Sequence, residues 1–250
     1  MSRVYNAIHR GLRRIVPLRV RAMRSRHRLK EFSRSVGSDS PQAVFEAVYE
    51  KRMWGVGPEG ERYSSGFGSH HSAVVEPYIA SVSRLLESFD TPPDAVDLGC
   101  GDFAIGSALR PLCNRYVACD VVTGLLEQNR ARFSGSDVEF RLVDIARDDL
   151  PPGDIAFVRQ VLQHLSNAAI SRALEKIRTT YPRLVLTENL PLDPDFEPNI
   201  DIATGPDIRL SVQSGVDIEQ PPFGIAVSAA EVLCEVVVKG SRFRTTLYTF

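Results

Sequence analysis

The chain has no apolar run of the ~18 residues that a membrane-spanning helix needs. It has four cysteines (Cys100, Cys113, Cys119 and Cys234) and no C-x-x-C pair. A disulfide scaffold is thereby excluded, and reduced, buried thiols in a cytoplasmic protein are expected. Acidic side chains are absent from residues 1–30, which carry ten Lys/Arg. The rest of the chain holds 20 basic and 31 acidic groups. Its body is therefore acidic, which argues against nucleic acid as a partner. The basic start has no uninterrupted apolar stretch, so no secretory signal is expected, although an Arg-rich, acid-free start also has the composition of an organelle transit peptide. With 250 residues, 43% apolar or aromatic and 24% charged, the chain suits one large α/β domain with an appendage rather than a disordered or collagen-like chain.

Residues 1–34 read as a basic arm. Val4, Ile8, Leu12 and Ile15 recur at helical spacing before Pro17. The arm can lie on an anionic membrane surface as an amphipathic helix, or stay in solvent. Residues 35–93 read as helices (Ala43–Met53 and 72–89) around a Gly-rich loop. That loop, residues 54–71, has five glycines together with Trp54, Tyr63 and Phe67. Aromatics at that density mark an ordered loop that covers a site. Residues 94–250 read as the core. Short apolar strands at Ala95–Leu98, Tyr116–Val122, Val138–Val143, Ile155–Val158 and Leu184–Thr187 alternate with helices near Ile105–Leu112, Gly124–Phe133 and Ile170–Thr180. Val232–Val238 and Phe243–Phe250 flank Lys239-Gly240-Ser241 as a hairpin. The pattern predicts an α/β, doubly wound sheet, mostly parallel, with a C-terminal antiparallel hairpin.

Residues 96–102 read VDLGCGD, a strand entering a Gly-rich turn before a helix. Gly99 and Gly101 allow backbone N–H groups to approach a ligand closely, and the helix start behind them can receive a carboxylate. With Ala104 the turn also fits a dinucleotide fingerprint, so a nicotinamide cofactor competes at this point. Asp120 ends the second strand, where an acid can accept from ribose hydroxyls. Asp144 follows the third, within reach of an adenine amino group, and the fourth strand leads into RQVLQHLSN.

This constellation resembles the class I S-adenosylmethionine-dependent methyltransferases over roughly residues 90–190. The resemblance implies S-adenosylmethionine as cofactor and S-adenosylhomocysteine as product. It places Asp97, Gly99, Cys100, Gly101, Asp120, Val121, Asp144, Ile145, Arg159 and Gln160 around the cofactor. Phe103 stands where that family often has a third glycine. A narrower resemblance, to poorly characterised bacterial methyltransferases, covers Trp54-Gly55, Ser65–Ser69, His164-Leu165-Ser166, Asn199–Ile202 and Pro221–Phe223. That group commonly has Arg-Asp where Arg159-Gln160 stand here.

Methyl transfer to a hydroxyl benefits from a general base, worth ~10²–10⁴ in rate. His164, just past the fourth strand, is the first candidate, with a helix-capping histidine as its plain alternative. Glu188, after the fifth strand, is the second, or else an exposed strand-end carboxylate. Tyr63, His70, His71 and Asp201 are expected to hold the acceptor. Residues 192–222 read as an acceptor lid with seven acidic residues against one basic one, Arg209. Such a lid suits a glycan or other sugar acceptor. A small secondary metabolite, or an inactive cofactor-binding module, are the alternatives. A divalent cation held by Asp201, Glu188 and His164 is chemically possible but not favoured. A cytoplasmic protein is expected, touching the membrane only through its arm. Oligomeric state is not legible.

Overall fold

The computed structural model describes residues 27, 31, 32, 36, 37, 40–57 and 62–250. All but residues 27, 31 and 32 of the expected basic arm, the membrane contact included, lie outside the described residues. Two helices precede the sheet, α1 (Pro41–Glu50) and α3 (Ser72–Glu87), with the single turn α2 (Phe67–His70) between them. Then β1 (Ala95–Leu98), α4 (Ala104–Leu109), β2 (Tyr116–Asp120), α5 (Thr123–Arg132), β3 (Glu139–Leu142) and β4 (Ile155–Arg159) follow. They are succeeded by α6 (Asn167–Thr180), β5 (Arg183–Leu190), β6 (Ala229–Val238) and β7 (Ser241–Thr249).

The seven strands lie in the order β3-β2-β1-β4-β5-β7-β6. The first five are parallel, and β7 runs antiparallel to both β5 and β6. This is the expected doubly wound sheet closed by a hairpin. The strand order reverses between β1 and β4, and ligands in such sheets bind at the carboxyl ends beside that switch.

Alternation along the strands makes two cores. Val96, Leu98, Val117, Cys119, Val158 and Leu186 pack with Phe45 and Val48 of α1 and with Ile170, Leu174 and Ile177 of α6. Ala95, Tyr116, Ala118, Phe157 and Val185 face the other way, onto Tyr78, Val82 and Leu86 of α3. The central strands are covered on both faces, which is why they read as unbroken apolar runs.

Phe103 takes φ +59 at the start of α4, a conformation that normally favours glycine. Its ring is fully buried, meeting Tyr116, Phe133 and Phe140 at centroid distances of 5.1–5.6 Å. Burial of that ring offsets the backbone strain, so the turn keeps its shape without the third glycine.

The fifth strand runs three residues past its expected end, because β7 continues to pair with it as far as Leu190↔Arg242. Helix α6 begins three residues earlier than expected, since the Ser166 hydroxyl accepts from the Ala169 N–H and caps it. Among the described residues no helix is long and apolar enough to cross a membrane.

Candidate functional site

A cavity of about 550 Å³ opens at the carboxyl ends of β1, β2 and β4 and is roofed by α1 and the Gly-rich loop. At its floor the β1 turn is folded tightly. Gly99 has φ +89 and Gly101 φ +54. A methyl group on Gly99 would stand 2.4 Å from Val161, and one on Gly101 would stand 2.1 Å from the Ser65 hydroxyl. The Asp120 carboxylate accepts from the Gly101 and Val122 N–H groups, both at 3.1 Å. Burial nevertheless pushes its pKa up to about 6. Asp97 is raised further, to about 7, because burial outweighs the 3.2 Å hydrogen bond from Tyr116 and the nearby Arg159. Asp144 accepts from the Ala146 N–H at 2.9 Å. Asp97, Gly99, Cys100, Gly101, Asp120, Val121, Asp144, Ile145, Arg159 and Gln160 all border the cavity.

The Gly-rich loop is tied directly to that turn. Ser65 donates its N–H to the Asp102 carboxylate and accepts the Asp102 N–H on its hydroxyl, each at 2.8 Å. His70 Nε2 lies 2.7 Å from the same carboxylate. Further along, the Arg159 guanidinium donates to the Gly68 carbonyl at 2.6 Å and covers the Tyr78 ring.

His164 borders the cavity from the turn after β4. Its Nδ1 lies 3.2 Å from the Asp207 carbonyl oxygen. A carbonyl can only accept, so Nδ1 carries the proton and Nε2 keeps its lone pair, 3.4 Å from the Gln163 amide nitrogen. Burial pushes the imidazole pKa down to about 4. The ring packs on Trp54 at 4.9 Å and is met edge-on by Phe45 at 6.4 Å. Since Ser166 caps α6, His164 is not a capping residue.

The lid segment is laced to this turn from several points. The Gly205 N–H donates to the His164 carbonyl at 3.0 Å, and Trp54 Nε1 donates to the Pro206 carbonyl at 3.4 Å. Arg209 is fully buried and donates to the Leu162 carbonyl and to Asn167 Oδ1 at 2.9 and 2.6 Å.

Several expected site residues stand elsewhere. Glu188 is no strand-end carboxylate. It lies inside β5, 3% exposed, opposite Arg244 of β7, and does not border the cavity. Burial pushes its pKa up to about 8, against the pull of Arg209. Tyr63 packs on Tyr49 at 5.5 Å with the rings tilted at 59° and its hydroxyl against Gly124. His70 is engaged by Asp102, and His71 packs on Phe67 at 4.5 Å. Asp201, exposed, accepts the Asn167 N–H at 2.7 Å. None of these four is in the cavity wall: His70 is spent on the β1 turn and Asp201 on the start of α6. Of the seven lid acids only Asp207 borders the cavity. Among the described residues no three His, Cys, Asp or Glu side chains are grouped to hold a metal ion.

The wall also contains residues that sequence reasoning passed over. Phe45 and Tyr49 sit on a helix that was recognised only as a helix. Asp102 follows the glycine turn, so motif position could have flagged it, whereas Gln163 lies in the segment Arg159–Leu165 that the resemblance already places along the site. Asn189 was hidden by the underestimated length of β5.

Residues 95–181 match a family model described as a methyltransferase domain. A search of curated proteins gives no match. Solved structures are similar in fold. N-methyltransferase NodS from Bradyrhizobium japonicum WM9, in complex with S-adenosyl-L-homocysteine, is 13% identical with a TM-score of 0.59, covering 82% of this chain and 98% of its own. Magnesium protoporphyrin IX methyltransferase (ChlM) from Synechocystis PCC 6803, with bound S-adenosylhomocysteine, is 13% identical with a TM-score of 0.55, covering 84% and 99%. The N-terminal domain of EvdMO1, crystallised in the presence of S-adenosylhomocysteine and D-fucose, is 16% identical with a TM-score of 0.51, covering 82% and 95%. Over residues 95–181 the chain thus matches a methyltransferase domain, and its fold is similar to that of solved methyltransferases holding S-adenosylhomocysteine.

Proposed function

We propose that this domain transfers the methyl group of S-adenosylmethionine to a hydroxyl of a sugar, in a glycan or glycolipid precursor, with His164 taking the hydroxyl proton. The observation that carries this reading is the His164 imidazole. The Asp207 carbonyl fixes its tautomer, and the residue borders the cavity that also contains the glycine turn, with Nε2 facing the Gln163 amide nitrogen at 3.4 Å. With a pKa near 4 the imidazole is neutral at pH 7.

The cavity fits the cofactor. Gly99 and Gly101 leave open backbone where a Cβ would collide. In this reading Asp120 accepts from ribose hydroxyls, and Asp144 and Ile145 take the adenine side; all three border the cavity. Arg159 Nε is buried without a partner, and its guanidinium is placed for the methionine carboxylate. Bound S-adenosylmethionine supplies an electrophilic methyl group on a sulfonium. The protein then has to align the acceptor oxygen with it, which contributes several kcal/mol of barrier reduction, about 7–11 at the upper limit.

Two observations support a sugar acceptor: the aromatic and amide groups along the cavity wall, and the presence of D-fucose in the EvdMO1 crystals. The test is transfer of labelled methyl from S-adenosylmethionine to a glycan panel. His164→Gln should keep S-adenosylhomocysteine affinity and lower turnover by about 10²–10⁴. Unchanged turnover would remove its role as base.

We further place the chain at the cytoplasmic face of a membrane, on the strength of ten basic residues within 1–30. Deleting residues 1–30 should abolish sedimentation with anionic vesicles, and an unchanged vesicle-bound fraction would refute it.

A further inference from the structure

Two side-chain amides in the cavity wall have buried oxygens that nothing in the protein satisfies. Gln163 is 4% exposed and Asn189 7% exposed, and neither Gln163 Oε1 nor Asn189 Oδ1 has a hydrogen-bond partner. The orientation of Gln163 is set by chemistry: its Nε2 donates to the Gln160 carbonyl at 3.2 Å, so the oxygen is the atom left over. Asn189 enters the wall because β5 runs past the end of β4, so that its last residues pair only with β7. An unpaired buried acceptor costs about 1–3 kcal/mol. Two residues carrying such acceptors border one cavity, a wall that a ligand donating hydrogen bonds would complete.

Beside the amides stands an aromatic corner. The Trp54 ring is fixed by its hydrogen bond to the Pro206 carbonyl and by edge-on packing of Tyr49 at 5.2 Å. Its neighbour is the His164 imidazole, at 4.9 Å and an interplanar angle of 46°. Phe45 lies 6.0 Å from Trp54. Such a corner buries an apolar ring face.

A ligand that satisfies both halves has a C–H face and several hydroxyls around its rim, which is the chemistry of a pyranose. A hydrocarbon ring would leave both amide oxygens unpaired. A carboxylate or phosphate would bring its own acceptors against them.

We propose that Gln163, Asn189 and Trp54 form the acceptor subsite, holding a pyranose ring against Trp54 and taking hydrogen bonds from hydroxyls that are not methylated. This deepens the methyl-transfer reading of the same cavity and rests on it. It also relocates acceptor binding from Tyr63, His70, His71 and Asp201 to the ends of β4 and β5.

The test uses the full chain saturated with S-adenosylhomocysteine. Its probes are methyl hexopyranosides of differing configuration, with cyclohexanol as a ring of the same size bearing a single hydroxyl. Binding is followed by saturation-transfer NMR and titration calorimetry. At least one pyranoside should bind and cyclohexanol should not. Gln163→Leu and Asn189→Leu should each weaken the pyranoside by about tenfold or more, the loss of one hydrogen bond, with S-adenosylhomocysteine affinity retained. That retained affinity also shows that each variant is folded. If no pyranoside binds the loaded protein, or if the bound one is indifferent to both substitutions, the subsite is refuted while the methyltransferase reading stands. If the wild-type chain does not bind S-adenosylhomocysteine, both readings fall together.

Discussion

Replacing Gly99 by alanine puts two separable strains on the β1 turn, and a second substitution distinguishes them. The first is conformational. Gly99 has φ +89, a region that costs an L-residue about 1–2 kcal/mol. The second is steric: the new methyl would stand 2.4 Å from Val161 Cγ2 and 3.3 Å from Cγ1. Displacing a packed side chain by that much costs about 1–3 kcal/mol. Gly99→Ala should therefore destabilise the fold by about 2–5 kcal/mol. Val161→Ala alone should cost about 1 kcal/mol for the methyl groups it removes from a half-buried site. In the double variant the collision is gone and only the conformational part remains. The double should thus be more stable than the sum of the singles by about 1–3 kcal/mol. Urea unfolding of the four proteins measures this directly. Calorimetric titration with S-adenosylhomocysteine on the same four should show an affinity loss that persists in the double, because the turn's backbone remains strained. Additive urea effects, within about 0.5 kcal/mol, would refute the close approach of Gly99 to Val161.

Two further outcomes follow from the buried charges beneath the lid. Arg209→Met leaves the Leu162 carbonyl and Asn167 Oδ1 without their donor. It should cost about 3–5 kcal/mol in thermal unfolding; a melting temperature within a degree of wild type would show that the guanidinium is dispensable. Glu188 is pushed from an ordinary 4.5 up to about 8, so the folded chain holds a proton that the unfolded chain releases above about pH 4.5. Wild-type stability should therefore fall as pH rises from there towards 8, then level off. Glu188→Gln should flatten that fall, as read from urea midpoints at pH 5 and pH 9. A parallel fall in the variant would assign the dependence to another group.

The architecture was legible because parallel strands buried on both faces write themselves as short apolar runs, and because VDLGCGD can serve few other backbones. The turn's acids were legible for the same reason: Asp97, Asp120 and Asp144 lie in or just past strands whose ends the sequence marks clearly. The acceptor side was not. Glu188 was misplaced because nothing in TENL announces that β7 keeps pairing beyond the end of β4. Once the strand is longer, alternation turns Glu188 away from the cavity and Asn189 towards it. His70 and His71 looked available because a loop sequence does not reveal which of its polar groups are already engaged. Asp102 engages His70, and Phe67 covers His71. The lid's acids misled in a similar way. Asp217 accepts from the Glu219 N–H, Asp193 from the Asp195 N–H and Asp201 from the start of α6, so they shape the segment itself.

The reciprocal hydrogen bonds between Ser65 and Asp102 bear on how the cavity is opened. They fasten the roof to the same turn that a cofactor's methionine end would occupy, and Arg159 fastens it again at Gly68. His70 adds a further tie to Asp102, so residues 65–70 can lift from the turn only when these contacts part together. Movement of the Gly-rich loop is thereby coupled to the shape of the β1 turn.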